Sequence, residues 1–391
     1  MKMRFAERMN HVSKSFIREI LKVTDRPEVI SFAGGLPNPK FFPKKEIAEA
    51  TQKVIETNGD KALQYSTTEG YAPLREYIYN RYYKNIPNVT LDNILITNGS
   101  QQALDLISKV FIEEGDCVLV EKPGYLGAIQ CFSVFMPEIR QVELCEDGIN
   151  LEELEEMLTK YNPKLFYCVP SFQNPTGLTY SEENRKKLAE IMKKTDTILI
   201  EDNPYGELRF EGKDCSIIKT YLGDQAISLG SFSKVFTPGM RLGWLCCSNE
   251  ILDKVITCKQ ASDLHTNIFS QVILAQYLED NDMDAHIQEI RDAYGMQKEC
   301  MVNAMKKYFP AEVKFTNPEG GMFLWLTLPE GVSSLDLLSE AGEKNVAFVP
   351  GNPFYVNVDK INTCRLNYTA SEPEEIEEGI KRLAEVIKHN L

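Results

Sequence analysis

The sequence predicts an α/β fold: a mainly parallel sheet buried under helices, with a smaller second domain built from both ends of the chain. Three observations carry this. Short runs that are apolar on both faces recur from about residue 90, with helix-length segments between several of them, which is the pattern of a sheet covered on both sides. The chain has 391 residues, too many for one ordinary core. The two end zones lack the repeating strand pattern of the middle.

In chain order, the strand candidates are NILIT (93–97), DCVLVE (116–121), KLFYCVP (164–170), DTILIED (196–202), QAISLGS (225–231) and GWLCCS (243–248). The first precedes a helix with apolar Leu104, Ile107 and Phe111. The pattern leaves open whether one of these strands runs antiparallel. Residues 1–45 hold a short amphipathic helix and the turn-rich FAGGLPNPKFFP (32–43). Beyond about residue 275 come a long polar helix near 283–308, the alternating GMFLWLTL (321–328) and a charged helix at 372–389. The expected organisation is an arm and part of the small domain in 1–45, the large domain in 46–280, and the rest of the small domain in 281–391.

Composition narrows the function classes. A net charge of −14 argues against nucleic acid as a main partner. It leaves anionic substrates open, because a local arginine cluster overrides the global field. Apolar content of 43% and charged content of 26% are ordinary for a soluble enzyme. Ten cysteines occur without a C-x-x-C pair, so buried thiols are expected rather than zinc or disulfides. No segment reaches the roughly 20 apolar residues of a membrane span, and the N-terminus has no long apolar run of a secretory signal. No membrane partner and a cytoplasmic location are expected. His11, His265, His286 and His389 show no metal spacing.

In open parallel sheets, ligands bind beyond the carboxyl ends of the strands. After NILIT, Gly99, Ser100 and Gln101 open a helix whose free N–H groups favour an anion; a plain N-cap serine explains Ser100 equally well. After DCVLVE, Tyr125 is either a stacking surface or a core tyrosine. After KLFYCVP, Asn174-Pro175-Thr176-Gly177 is turn chemistry, with Asn174 facing a ligand or capping the turn. After TILIE, Asp202 ends a buried strand and needs a cationic partner, either a lysine or a protonated ring nitrogen. After QAISLG comes SFSKVFTPGMRLG, where Ser231, Ser233 and Arg241 suit phosphate oxygens. Lys234, desolvated beside cations, is prepared for a Schiff base. No P-loop pattern occurs. Pyridoxal phosphate is the cofactor that uses this whole set.

With these residues in view, the chain resembles the class I/II aminotransferases of pyridoxal-phosphate fold type I. Ser-Phe-Ser-Lys with Pro-Gly-x-Arg-x-Gly, Asn-Pro-Thr-Gly and Asp-x-x-Tyr carry the resemblance, which runs from about residue 8 to 388. SFAGGLPNPKFFP, LQYSTTEGYAPLRE (63–76) and KQASDLHTNIFSQ (259–271) resemble the 2-aminoadipate and kynurenine aminotransferase subgroup. MocR-type regulators lie in the same neighbourhood, and with none of their winged-helix region ahead of residue 8 a regulator is not the expected reading. The resemblance implies a large domain with a mainly parallel seven-stranded sheet, a small α+β domain and a homodimer.

It also implies roles. Lys234 matches the lysine that holds the cofactor covalently and moves the substrate's α-proton. Asp202 matches the carboxylate that keeps the pyridine nitrogen protonated. Asn174 and Tyr205 match the donors to the phenolic oxygen, and Tyr125 the ring stacked on the cofactor. Gly99, Ser100, Gln101, Ser231, Ser233 and Arg241 match the phosphate cradle, and Tyr65 a tyrosine that reaches the neighbouring subunit's phosphate. Arg365, in TCRLNYT, matches the arginine that grips the α-carboxylate. Gly35 lets backbone approach the substrate closely. Arg18 either meets a distal carboxylate or is a solvated helix arginine. The implied reaction moves an amino group from an L-amino acid (2-aminoadipate, aromatic or branched-chain) to a 2-oxo acid such as 2-oxoglutarate. Two other readings stand beside it: another pyridoxal-phosphate reaction such as β-elimination, which would use the same residues, and a non-catalytic ligand-sensing module, against which the intact Lys234, Asp202 and Arg365 argue.

Overall fold

Runs such as Val118-Leu119-Val120 and Leu165-Phe166-Tyr167 alternate their side chains across a pleat, and both faces are apolar. In the computed structural model, which describes residues 3–10, 12, 26–358 and 361–391, these runs are buried strands covered on both sides. The strands in chain order are β1 Ile30–Ser31, β2 Ile94–Thr97, β3 Cys117–Lys122, β4 Glu138–Cys145, β5 Gly148–Ile149, β6 Leu165–Cys168, β7 Ile198–Asp202, β8 Ala226–Ser231, β9 Gly243–Cys246, β10 Lys314–Phe315, β11 Phe323–Thr327, β12 Val346–Ala347, β13 Val349–Pro350 and β14 Thr363–Asn367.

The large sheet has the order β2-β9-β8-β7-β6-β3-β4-β5. Seven strands form its body, and the two-residue β5 extends the edge by pairing antiparallel to β4. Strands β3, β4, β6, β7 and β8 run parallel, whereas β9 runs antiparallel to both of its neighbours, β2 and β8. Strand β4 escapes the sequence reading because it is near the sheet edge and half-solvated. Its charged Glu138, Arg140 and Glu143 are tolerated there and mask the apolar pattern.

The two faces have separate cores. Leu119, Phe166, Leu199 and Ala226 pack with Leu154, Leu158, Leu188 and Met192 on the helices Leu151–Tyr161 and Glu182–Met192. Their pleat neighbours Val118, Val120, Leu165, Tyr167, Ile200 and Ile227 join a larger core that extends to Phe32, Leu324 and Ile387. The expected polar helix is Met283–Tyr308 and the C-terminal helix is Pro373–His389.

A second sheet has the order β10-β11-β14-β13, all antiparallel. Strand β14 is central in it, which buries Arg365 between Trp325 on β11 and Val349 on β13. The N-terminal segment joins this C-terminal region through β1, which pairs with β12, and through the Phe32 carbonyl, which accepts from Asn367 N at 2.8 Å. The amphipathic helix expected in residues 1–45, with Arg18, lies outside the described residues.

Candidate active site

Five strands of the large sheet, β2, β3, β6, β7 and β8, share one carboxyl edge. The antiparallel β9 enters the sheet from that edge, because Gly243 is paired with both Thr97 and Ser231. Arg241, two residues before Gly243, therefore reaches the same edge as Gly99 and Ser231. A cavity of about 520 Å³ opens there. Gly99, Ser100, Gln101, Tyr125, Asn174, Asp202, Tyr205, Ser231, Ser233, Lys234 and Arg241 line it, with Gly35 from the N-terminal arm and Arg365 from β14.

Lys234 follows β8 and donates to the Gly35 carbonyl at 2.8 Å. Burial first, then the positive charges of Arg365 and Arg241, pull its ammonium down to about 8. Arg365 is 2% exposed. It donates to Asn174 Oδ1 at 2.9 Å and to the Ala33 carbonyl at 2.8 Å, and its guanidinium lies over the rings of Phe323 and Phe354. Among the described residues no carboxylate pairs with it, and its Nε is buried without a partner. Burial lowers it to about 10. A desolvated guanidinium without a counter-ion suits an incoming carboxylate.

Asp202 ends β7 and is 2% exposed. Its Oδ2 accepts from the Tyr167 hydroxyl at 2.9 Å, while Oδ1 is buried without a partner. Burial raises the carboxyl to about 6, with the Tyr167 bond opposing that rise. Asn174 Nδ2 donates to the Tyr205 hydroxyl at 3.3 Å. The turn that carries Asn174 is set from below. Gln173 Nε2 donates to buried Glu121 at 2.9 Å, and Gln173 Oε1 accepts from Thr176.

The anion end is a backbone cradle. The helix Ser100–Phe111 starts at Gly99, whose φ is +77°. A Cβ on Gly99 would come 2.7 Å from Arg241 Nη2, so only glycine lets that guanidinium close over the helix start. N–H groups in a helix's first turn have no intrahelical partner and attract anions. The Gln101 side chain is engaged with the Gly127 carbonyl at 3.0 Å, so Gln101 offers its backbone here. Ser233 N donates to Ser231 Oγ at 3.1 Å, which turns the two serines toward the same place.

These features fit pyridoxal phosphate: an unpaired buried carboxylate oxygen for a ring N–H, a glycine-dependent anion cradle and a buried amine between them. Every cofactor position expected from the sequence lies at this cavity except Tyr65, which is 80% exposed and packs edge-on against His265 at 5.8 Å. Of the residues expected to contact substrate, Arg365, Asn174 and Gly35 line the same cavity, and Arg18 falls outside the described residues. Tyr167 and Glu121 were not singled out from the sequence. Each sits inside an apolar strand, where a tyrosine reads as core and a lone carboxylate carries no motif.

Residues 29–383 match the family model described as aminotransferase class I and II. The chain is 45% identical to aromatic-amino-acid aminotransferase 1 of Thermococcus litoralis, over 99% of this chain and 94% of that one. It is similar in structure to a Pyrococcus horikoshii kynurenine aminotransferase solved in complex with PMP, with KYN as substrates and KYA as products. That match has a TM-score of 0.94 and 44% identity, and covers 99% of this chain and 97% of the other. It is also similar to LysN, the α-aminoadipate aminotransferase of Thermus thermophilus, solved with N-(5'-phosphopyridoxyl)-L-leucine. There the TM-score is 0.91 and the identity 40%, with 98% and 97% of the two chains covered.

Proposed function

The chain belongs to the class I and II aminotransferases and is a pyridoxal-phosphate-dependent transaminase, and from that premise we propose roles for its residues and a substrate range. The observation that carries the roles is the cavity itself. It sets a buried lysine of lowered basicity near an unpaired carboxylate oxygen and a guanidinium without a counter-ion.

Pyridoxal phosphate, when bound, supplies an aldehyde for the amino group and a ring that withdraws electrons from Cα. Gly99, Ser100, Gln101, Ser231, Ser233 and Arg241 hold its phosphate. Tyr125 flanks its ring. Asp202 Oδ1 accepts from the ring nitrogen, a charge-assisted bond that favours the protonated ring. Asn174 and Tyr205 donate to the phenolic oxygen. Arg365 grips the substrate α-carboxylate through two parallel N–H bonds and so orients the Cα–H bond. Lys234 takes the proton from Cα as its neutral amine and returns it as its ammonium.

For substrates we propose aromatic amino acids and 2-aminoadipate as donors, with branched-chain amino acids as further candidates and 2-oxoglutarate as acceptor. The relatives named for aromatic, kynurenine and α-aminoadipate transamination support this range. We also propose a cytoplasmic homodimer in which Tyr65 enters the neighbouring site. Support comes from the high exposure of Tyr65 and its absence from the lining of its own cavity, and from ten free cysteines, as in a reducing compartment. Among the described residues, no helix is long and apolar enough to cross a membrane.

A panel of amino donors against 2-oxoglutarate tests the substrate range, with glutamate formation as the readout. Turnover confined to donors outside the aromatic, aminoadipate and branched-chain classes would overturn it. Ammonia release without an oxo acid would point to elimination instead.

A further inference from the structure

The segment KQASDLHTNIFSQ, residues 259–271, contributes nothing to the cavity lining, yet its polar side chains are bonded to the segment that forms the phosphate cradle. Lys259, with no exposed side-chain surface, donates to both Asp263 oxygens at 2.9 Å, to Gln102 Oε1 at 3.0 Å and to Thr266 Oγ at 3.0 Å. Asp263 Oδ2 also accepts from Asn98 Nδ2 at 2.7 Å and from Gln102 Nε2 at 2.6 Å. Gln102 Oε1 accepts from Asn98 N at 2.8 Å. The Asn98 carbonyl in turn accepts from Arg241 Nη2 at 3.3 Å.

Three polar groups of Asn98 are thus committed: its side-chain Nδ2 to Asp263, its N–H to Gln102 and its carbonyl to Arg241. Asn98 directly precedes Gly99, where the chain turns into the helix, so fixing Asn98 fixes the first helical N–H groups as well as Arg241. We propose that Asp263, anchored by Lys259, is a positioning residue for cofactor phosphate binding, acting through Asn98 on Arg241. This rests on the cofactor reading above. The same loop reaches a second element: His265 accepts from Ser66 N at 3.3 Å and packs against Tyr65. One aspartate therefore braces its own cradle and lies two residues from the support of the segment proposed to enter the neighbouring site.

The role is specific to the phosphate, and this separates it from general stability. Apoprotein is titrated with pyridoxal phosphate and with pyridoxal, which has the aldehyde but no phosphate, and Lys234 capture is followed by absorbance. Asp263→Asn and Asn98→Ala are each expected to weaken pyridoxal phosphate about tenfold, the size of loss seen when a supporting hydrogen bond to a binding group is removed. Pyridoxal should change less than twofold. Asn98→Ala keeps the Lys259–Asp263 pair, and it decides the matter if Asp263→Asn unfolds. In an Arg241→Ala background the effect of Asn98→Ala should shrink, because the part of the path that runs through Arg241 is already gone. Equal losses for both aldehydes, no loss, or full additivity with Arg241→Ala would each overturn the proposal. If the wild-type chain captures neither aldehyde, the cofactor reading falls as well. If it captures both and the losses are parallel, only the role of Asp263 falls.

Discussion

The Tyr167 hydroxyl donates to Asp202 Oδ2 across 2.9 Å, from one parallel strand to the next, and leaves Oδ1 buried without a partner. Burial pushes the Tyr167 phenol well above its usual range, so it keeps the proton that it donates to Asp202. The bond favours the ionised carboxylate and opposes the desolvation that lifts Asp202 to about 6. Tyr167→Phe removes that support, and the Asp202 carboxyl should rise further. The expected result is a fall in kcat of about tenfold, the loss of one charge-assisted hydrogen bond. KM for the amino donor should barely change, since Arg365 is untouched. Steady-state kinetics with the pH-dependent absorbance of the bound cofactor checks this. An unchanged kcat and spectrum would show that Asp202 does not depend on Tyr167.

Gly99→Ala tests the cradle. The φ of +77° strains any L side chain, and the new methyl would sit 2.7 Å from Arg241 Nη2. Arg241 should be displaced, and affinity for pyridoxal phosphate should fall about tenfold or more, matching roughly 1–2 kcal/mol of strain and lost contact. Dialysis of the loaded protein followed by absorbance measures it. Retained affinity would mean that the guanidinium is not needed where it lies.

The fold and most of the site were legible because their signals are local. Doubly apolar runs identify buried strands, and a strand end followed by Gly-Ser, Asn-Pro, Asp or Ser-x-Ser-Lys announces polar groups at one edge. Strand β4 was hidden because an edge strand needs only part of its surface apolar. Tyr167 was hidden because its role exists only once β6 lies beside β7. Asp263 was hidden for the same reason: 165 residues separate it from Asn98, to which it is bonded. Arg365 was found by resemblance, but its burial between two aromatic rings and its lack of a described carboxylate partner became visible only in the folded chain.

That burial gives a prediction for Arg365→Lys. A lysine keeps the charge but offers a point donor in place of a planar fork, and it stacks poorly between Phe323 and Phe354. The kcat/KM for amino donors should fall about 100-fold, in line with the roughly 2–3 kcal/mol carried by a desolvated bidentate pair. Pyridoxal phosphate affinity should stay within about twofold, because the partners of Arg365 are Asn174 and Ala33 and not the proposed phosphate-holding residues. Comparing kcat/KM with cofactor titration separates the two. Parallel losses would place Arg365 in cofactor binding.

The last prediction concerns pH. Lys234 falls from 10.5 to about 8 through burial first, then Arg365 and Arg241. Only the neutral amine attacks an aldehyde, so the rate constant for capture of pyridoxal phosphate by apoprotein should rise about tenfold per pH unit below 8 and level off above it. The same shift has a stability consequence. Between pH 8 and 10.5 the unfolded lysine holds a proton that the folded one has released, so the Lys234 contribution makes apoprotein stability increase with pH across that window. Below it, the folded state carries the cost of a buried ammonium. Arg365→Met removes a neighbouring positive charge and should move the capture midpoint upward, toward 10.5, while Arg241→Met should move it upward by less, as the weaker of the two charges. Stopped-flow capture rates across pH give both midpoints. A midpoint that stays at 8 in both variants would assign the whole shift to burial, and one that moves downward would contradict the charge arrangement around Lys234.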